Sequence, residues 1–165
     1  MRKAKTTYIA LGSNKGNKLQ NLQSAVDLIF LKIGDVKKIS NVYETAALGF
    51  DGDDFYNACI KVETDFKPKK LLKQLQSIEK VIGRVKSSSN MYESREIDLD
   101  ILFYDELVLS TNQLQIPHPR IKQRKFVLLP MFEIEATFLH PEEKKTIEEL
   151  LKICSDSSFV KKVYE

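Results

Sequence analysis

Apolar positions along the first half of the chain alternate between two spacings. Thr6 to Leu11 reads as a strand, followed by the turn-forming run Gly12-Ser13-Asn14-Lys15-Gly16-Asn17. Asn17 is placed to cap a helix, because its side-chain oxygen can accept from an amide of the first turn. Leu19, Leu22, Val26, Ile29 and Ile33 then recur at helical spacing, and Gly34 stops that helix. Val36 to Glu44 alternates and predicts a second strand, followed by a loop with Gly49, Gly52 and nearby aspartates. Phe55 to Thr64 predicts a third strand, with Ala58, Ile60 and Val62 on one side. Pro68 suits the first turn of a second helix. Leu71, Leu72, Leu75, Ile78 and Ile82 are its apolar stripe, and Gly83 ends it.

Ser87-Ser88-Ser89-Asn90 predicts a polar, mobile loop. Leu99 to Tyr104 is the fourth main strand, and Leu107 to Leu109 is expected to pair with it through an Asp105-Glu106 turn. Ile116-Pro117-His118-Pro119 is excluded from a sheet interior, since neither proline has an amide to donate. Lys125 to Glu135 predicts a third helix. Thr146 to Cys154 predicts a fourth, opened by the capping-box sequence Thr146-Ile147-Glu148-Glu149. The order β-α-β-β-α-β predicts an α+β, ferredoxin-like fold: an antiparallel four-stranded sheet with both helices on one face. The C-terminal helices are expected to cover part of the other face, leaving the rest for a site.

Composition narrows the class without naming a chemistry. Residues 1–165 fit a single domain, and an apolar share of 42% with 30% charged residues is ordinary for a globular chain. A net charge of +3 is too weak to argue for nucleic acid as a partner. No run of 18 apolar residues exists, so no membrane partner is expected. The N-terminus is basic, but the apolar run Tyr8 to Leu11 is too short for a signal peptide. Cys59 and Cys154 make neither a disulfide framework nor a metal-ligand spacing. Reduced thiols fit a cytoplasmic location.

The densest candidate chemistry is Arg95-Glu96-Ile97-Asp98-Leu99-Asp100-Ile101-Leu102. On a strand, Asp98 and Asp100 share one face, while Ile97, Leu99 and Ile101 share the other. Two carboxylates about 7 Å apart along a strand can hold Mg²⁺, which keeps waters and takes phosphate oxygens as further ligands. The same alternation also describes an ordinary strand with one wet face. What shifts the balance is the surrounding charge. Glu79 lies on the second helix, Arg84 and Lys86 follow its end, and Arg95 closes the polar loop before the acidic strand. His118, Arg120 and Arg124 follow beyond it. Cations around a carboxylate-held metal suit a triphosphate, whose chemistry needs positioning and charge neutralisation.

Taken in order, several short motifs resemble one family. They are Tyr8-Ile9-Ala10-Leu11-Gly12-Ser13-Asn14, Tyr43-Glu44-Thr45 with Leu48-Gly49, Phe55-Tyr56-Asn57-Ala58, Gly83-Arg84-Val85, Arg95 with Asp98-Leu99-Asp100-Ile101, and Pro117-His118-Pro119-Arg120. Together they are similar to 6-hydroxymethyl-7,8-dihydropterin pyrophosphokinases of folate biosynthesis, over about residues 6 to 135. The resemblance implies transfer of pyrophosphate from ATP to the pterin's hydroxymethyl group. ATP and the pterin are then the partners, two Mg²⁺ ions the cofactor, and the protein a monomer. It implies Asp98 and Asp100 as metal ligands, and Arg84 and Arg95 as the arginines that assist transfer. Glu79, Lys86, His118 and Arg124 fall on the ATP side. On the pterin side fall Phe55 and Phe126 as the ring sandwich, Asn57 as its hydrogen-bonding partner, and Thr45 and Leu48 on the loop that reads the ring edge.

The chain departs from the family pattern at Met91 and Glu93 before Arg95, at Ala46 and Ala47, and at Gln113. Met91 and Glu93 motivate an alternative, a relative that keeps pterin binding but transfers inefficiently. A ferredoxin-like nucleic-acid module is a further alternative. It lacks the aromatic consensus of such modules, and Asp98 and Asp100 would repel a phosphate backbone.

Overall fold

The computed structural model describes residues 3–46, 53–83 and 96–164. The central sheet is built from β1 (Lys5–Ser13), β2 (Gly34–Ile39), β3 (Tyr43–Thr45), β4 (Phe55–Thr64) and β5 (Asp98–Tyr104). β5 and β4 flank β1, and all of these pairings are antiparallel. Helices α1 (Lys18–Lys32) and α2 (Pro68–Gly83) lie between the strands in sequence and pack on one face. That is the ferredoxin-like arrangement expected from the element order.

The two faces follow from strand alternation. Ile9, Leu11, Ile60, Val62, Leu99 and Ile101 point to α1 and α2, where they meet Ile29, Leu71, Leu75 and Ile78. Tyr8, Cys59 and Phe103 point to the opposite face. There α3 (Lys125–Glu135) and α4 (Ile147–Ile153) cover them with Val127, Leu128, Met131, Ile147 and Leu150. Asn17 caps α1 by accepting from Gln20 N, and Thr146 and Glu149 form a complete capping box on α4. α3 is clamped by its last turn: Glu133 accepts from Tyr43 Oη and Asn41 N, and Glu135 accepts from Tyr8 Oη and Lys61 Nζ.

Several boundaries differ from the sequence expectation. The second strand is two pieces, because register shifts at Val36/Lys38 and again before Tyr43 bend the edge around β4. β1 continues through Gly12 and Ser13, which pair with Asn57 and Tyr56 and so belong to the sheet rather than to the following turn. Gly34 ends α1 for a reason other than backbone freedom. A Cβ there would lie 2.0 Å from the Glu63 carbonyl oxygen, so only glycine lets the chain enter the sheet. Leu107 to Leu109 does not pair with β5. Asp105, at φ 45°, turns the chain back onto β1, donating to Thr6 O and accepting from Thr6 N. Leu109–Ser110 (β6) then pairs with Gln115–Ile116 (β7) as a separate ribbon. A short β8 (Lys161–Lys162), absent from the sequence expectation, adds to the outer edge of β3.

Candidate active site

On the α3 side of the sheet, beyond the end of that helix pair, two rows of side chains cross the strands. Asn57, Gly12 and Asp98 form one row, and Cys59, Ala10 and Asp100 form the next. Each row thus has a very small residue in the middle and a carboxylate on β5. The small residues leave a floor, and over it lies a cavity of about 180 Å³. Thr45 and Phe55 close one side; Ile121, Arg124, Phe126 and Val127 close another. Phe55 and Phe126 are both only half-buried, so each keeps part of its ring toward the opening.

The asparagine is preset. Its Nδ2 donates to Tyr43 O (3.2 Å) and to Thr45 Oγ1 (3.1 Å), which uses both amide hydrogens. Oδ1 is left over the Gly12 floor, where a Cβ on residue 12 would sit 3.4 Å from it. Asn57 therefore presents an acceptor to the cavity, rather than the donor-and-acceptor pair that an asparagine offers in principle.

At the other end, Asp98 and Asp100 project from the same face of β5 into the cavity. The β5 edge is secured from the helix side by Glu79, which accepts from Leu99 N at 2.9 Å. Glu79 lines neither this cavity nor the adjoining cleft; its bond from Leu99 N ties the strand between the two aspartates to α2. Three residues beyond Leu99, β5 carries a bulge. Tyr8 pairs with Phe103 and Ile9 with Ile101, so Leu102 is the extra residue. Its carbonyl accepts from His118 N (3.0 Å), which brings His118 beside the aspartates. His118 Nδ1 accepts from Arg120 N (3.2 Å), so the neutral ring carries its hydrogen on Nε2. Burial lowers the His118 pKa; Asp100 opposes this, while Arg124 and Arg120 add to it. Asp100 and His118 also border a second cleft, lined by Thr111, Asn112, Gln113, Leu114 and Gln115. Arg124 stacks its guanidinium 5.6 Å from the Phe126 ring centre.

The sequence profile of 7,8-dihydro-6-hydroxymethylpterin-pyrophosphokinase matches residues 8–136. The chain belongs to the 7,8-dihydro-6-hydroxymethylpterin-pyrophosphokinase family. It is 37% identical over 158 residues to the 2-amino-4-hydroxy-6-hydroxymethyldihydropteridine pyrophosphokinase of Haemophilus influenzae, covering 94% of this chain and 97% of that one. It is 43% identical over 135 residues to the folic acid synthesis protein fol1 of Pneumocystis carinii, covering 81% of this chain but only 18% of that protein. The fold matches wild-type HPPK-DHPS of Plasmodium falciparum with a TM-score of 0.74 at 17% identity, over 92% of this chain and 45% of that one. The chain is thus comparable in length to the bacterial pyrophosphokinase and spans a fraction of the two longer proteins.

Of the site residues expected for the pyrophosphokinase family, Thr45, Phe55, Asn57, Asp98, Asp100, His118, Arg124 and Phe126 line one cavity. Arg84, Lys86, Arg95 and Leu48 lie outside the described residues. Sequence reasoning missed the floor. Ala10 and Gly12 alternate with Ile9 and Leu11 on β1, and two such small residues on the face turned away from α1 and α2 were a legible sign of space above the sheet. It also missed Ile121, Val127 and the Leu102 bulge, none of which carries a sequence signal of its own.

Proposed function

We propose that the chain transfers the pyrophosphoryl group of ATP to the hydroxymethyl oxygen of 6-hydroxymethyl-7,8-dihydropterin. That oxygen forms a bond to the β-phosphorus, the bond from it to the α–β bridging oxygen breaks, AMP leaves, and the hydroxyl proton passes to water. One observation supports this most: a single cavity has two half-buried phenyl rings and a preset acceptor at one end, and two carboxylates with an imidazole and a guanidinium at the other.

Phe55 and Phe126 would sandwich the flat ring, and Asn57 Oδ1 would accept from its N–H edge. Thr45 holds that asparagine, and Leu48 is assigned by the family resemblance to the same loop. Asp98 and Asp100 fit Mg²⁺. Among the described residues no group of three or more histidines, cysteines and carboxylates is arranged to hold a metal ion, so water and phosphate oxygens would supply its other ligands. Asp98 and Asp100 would hold two such ions, which when bound would supply charge neutralisation for the phosphates of ATP. His118, through Nε2–H, and Arg124 would bind phosphate oxygens, with Lys86 and Glu79 on the nucleotide side. Arg84 and Arg95 would meet the charge that develops during transfer. The reading includes a monomer, and a cytoplasmic location that two free cysteines suit. No helix among the described residues is long and apolar enough to cross a membrane.

The test is AMP formation from ATP with and without 6-hydroxymethyl-7,8-dihydropterin. AMP that appears only with the pterin, in equal amount to the pterin diphosphate, supports the proposal. No pterin-dependent AMP overturns it.

A further inference from the structure

We propose that Asp156 is a positioning residue for the ring-stacking wall, capping α3 from the C-terminal tail. α3 begins at Lys125 and has no local side-chain cap, because Arg124 occupies the cap position. The missing acceptor comes from the tail: Lys125 N donates to Asp156 Oδ2 at 3.0 Å. A carboxylate there also meets the positive end of the helix. The capped residue stands between Arg124 and Phe126, which with Val127 are the side chains that α3's start contributes to the cavity. A change in the first turn of α3 therefore moves the Phe126 ring directly.

Asp156 is itself held. Its Oδ1 accepts from Ser158 N (2.9 Å) and Ser158 Oγ. Burial alone would raise its pKa, but the bonds from Ser158 and Lys125 outweigh it and keep the carboxyl below its usual range. The tail then runs to the opposite wall. Lys161 and Lys162 pair with Glu44 and Tyr43, and Val163 N donates to Val42 O at 2.8 Å. That edge is β3, which carries Thr45 into the cavity. One segment thus connects both sides of the ring end, and it lies beyond residue 136, where the family match stops.

The inference rests on the proposed pterin reading, so its test needs a readout that does not depend on turnover. Asp156→Ala and Asp156→Asn are compared with the unaltered protein. Asp156→Ala is expected to raise the KM for the pterin about fivefold, with kcat and the KM for ATP within about twofold, as loss of one cap would predict. Amide exchange at Lys125 and Phe126 should speed up, while the melting temperature changes little. Asp156→Asn keeps one of the two acceptor oxygens and should bring the pterin KM part of the way back, between that of Asp156→Ala and the original. Equal change in both KM values, unchanged exchange at Lys125, or no recovery in Asp156→Asn overturns the proposal. If the unaltered protein makes no pterin-dependent AMP, the functional reading fails, and exchange at Lys125 still decides whether Asp156 orders the wall.

Discussion

Two glycines show how differently one residue type can act. Gly34 allows two backbones to touch, and Gly12 keeps a floor clear. A methyl at residue 34 meets the Glu63 backbone at 2.0 Å, whereas at residue 12 it meets Asn57 Oδ1 at 3.4 Å and Phe55 Cδ1 at 3.7 Å, ordinary contact distances. Gly34→Ala is therefore expected to cost several kcal/mol, of the size seen for overpacked sites, about 1–3 or more. Gly12→Ala should fold with a melting temperature close to the original. It should nonetheless weaken pterin binding at least about tenfold, because the methyl fills the floor and covers the Asn57 acceptor. Calorimetric titration with the pterin, next to a thermal melt, checks both variants. His140 gives a pH prediction at the same scale. Its Nδ1 accepts from Glu142 N and Glu143 N, and burial lowers its pKa from the ordinary 6.5, against the pull of Glu143 and Glu142. A lowered histidine is more readily protonated in the unfolded chain, so stability rises with pH up to about 6.5 and is lost as pH falls below it. Denaturant midpoints at about pH 7.5 and about pH 5.5 should differ less in His140→Gln than in the original protein.

At the scale of elements, β5 carries Asp98 and Asp100 on the outer edge of the sheet and is tied to α2. If Glu79 acts mainly through the Leu99 amide, Glu79→Ala should lower stability by about 1 kcal/mol, the net worth of such a bond. Glu79→Gln, which keeps an acceptor, should restore most of it. Chemical denaturation of the two variants measures this, and equal loss in both would point instead to the charge. α3 is held at its far end by Glu133 and Glu135 and at its near end by the tail, so the helix that carries Phe126 is fixed from three parts of the chain. Elements of this kind were largely legible in advance. α3 runs Lys125–Glu135 and β4 runs Phe55–Thr64, as the apolar spacing predicts. The broken edge β2–β3, the β6–β7 ribbon and β8 were not. Each depends on a partner far away in sequence, and two-residue pairings leave no periodicity to read.

The molecule as a whole puts the two ends of the cavity on different supports. The end with Asn57, Phe55 and Phe126 rests on β3, β4 and α3; the end with Asp98 and Asp100 rests on β5 and the segment around His118. Chelation of divalent cations should therefore abolish AMP formation and leave binding of the pterin alone within about threefold of its value before chelation. Isothermal titration in the presence of EDTA, paired with the AMP assay, is the measurement. Loss of ring binding on chelation would show that the metal organises the whole cavity.

The amino-acid sequence by itself determined the order and faces of the main elements, because alternation and helical spacing are local properties of the chain. It also marked Asp98, Asp100, Asn57, His118 and the two phenylalanines, since residue type and order carry the family pattern. It could not tell that Asn57 presents only its oxygen, that Glu79 binds a strand amide, that Gly12 lies in the sheet, or that residue 156 caps a helix starting at residue 125. Those facts depend on which groups meet across the fold, and hydrogen-bond partners and free space are set by that meeting rather than by sequence neighbours.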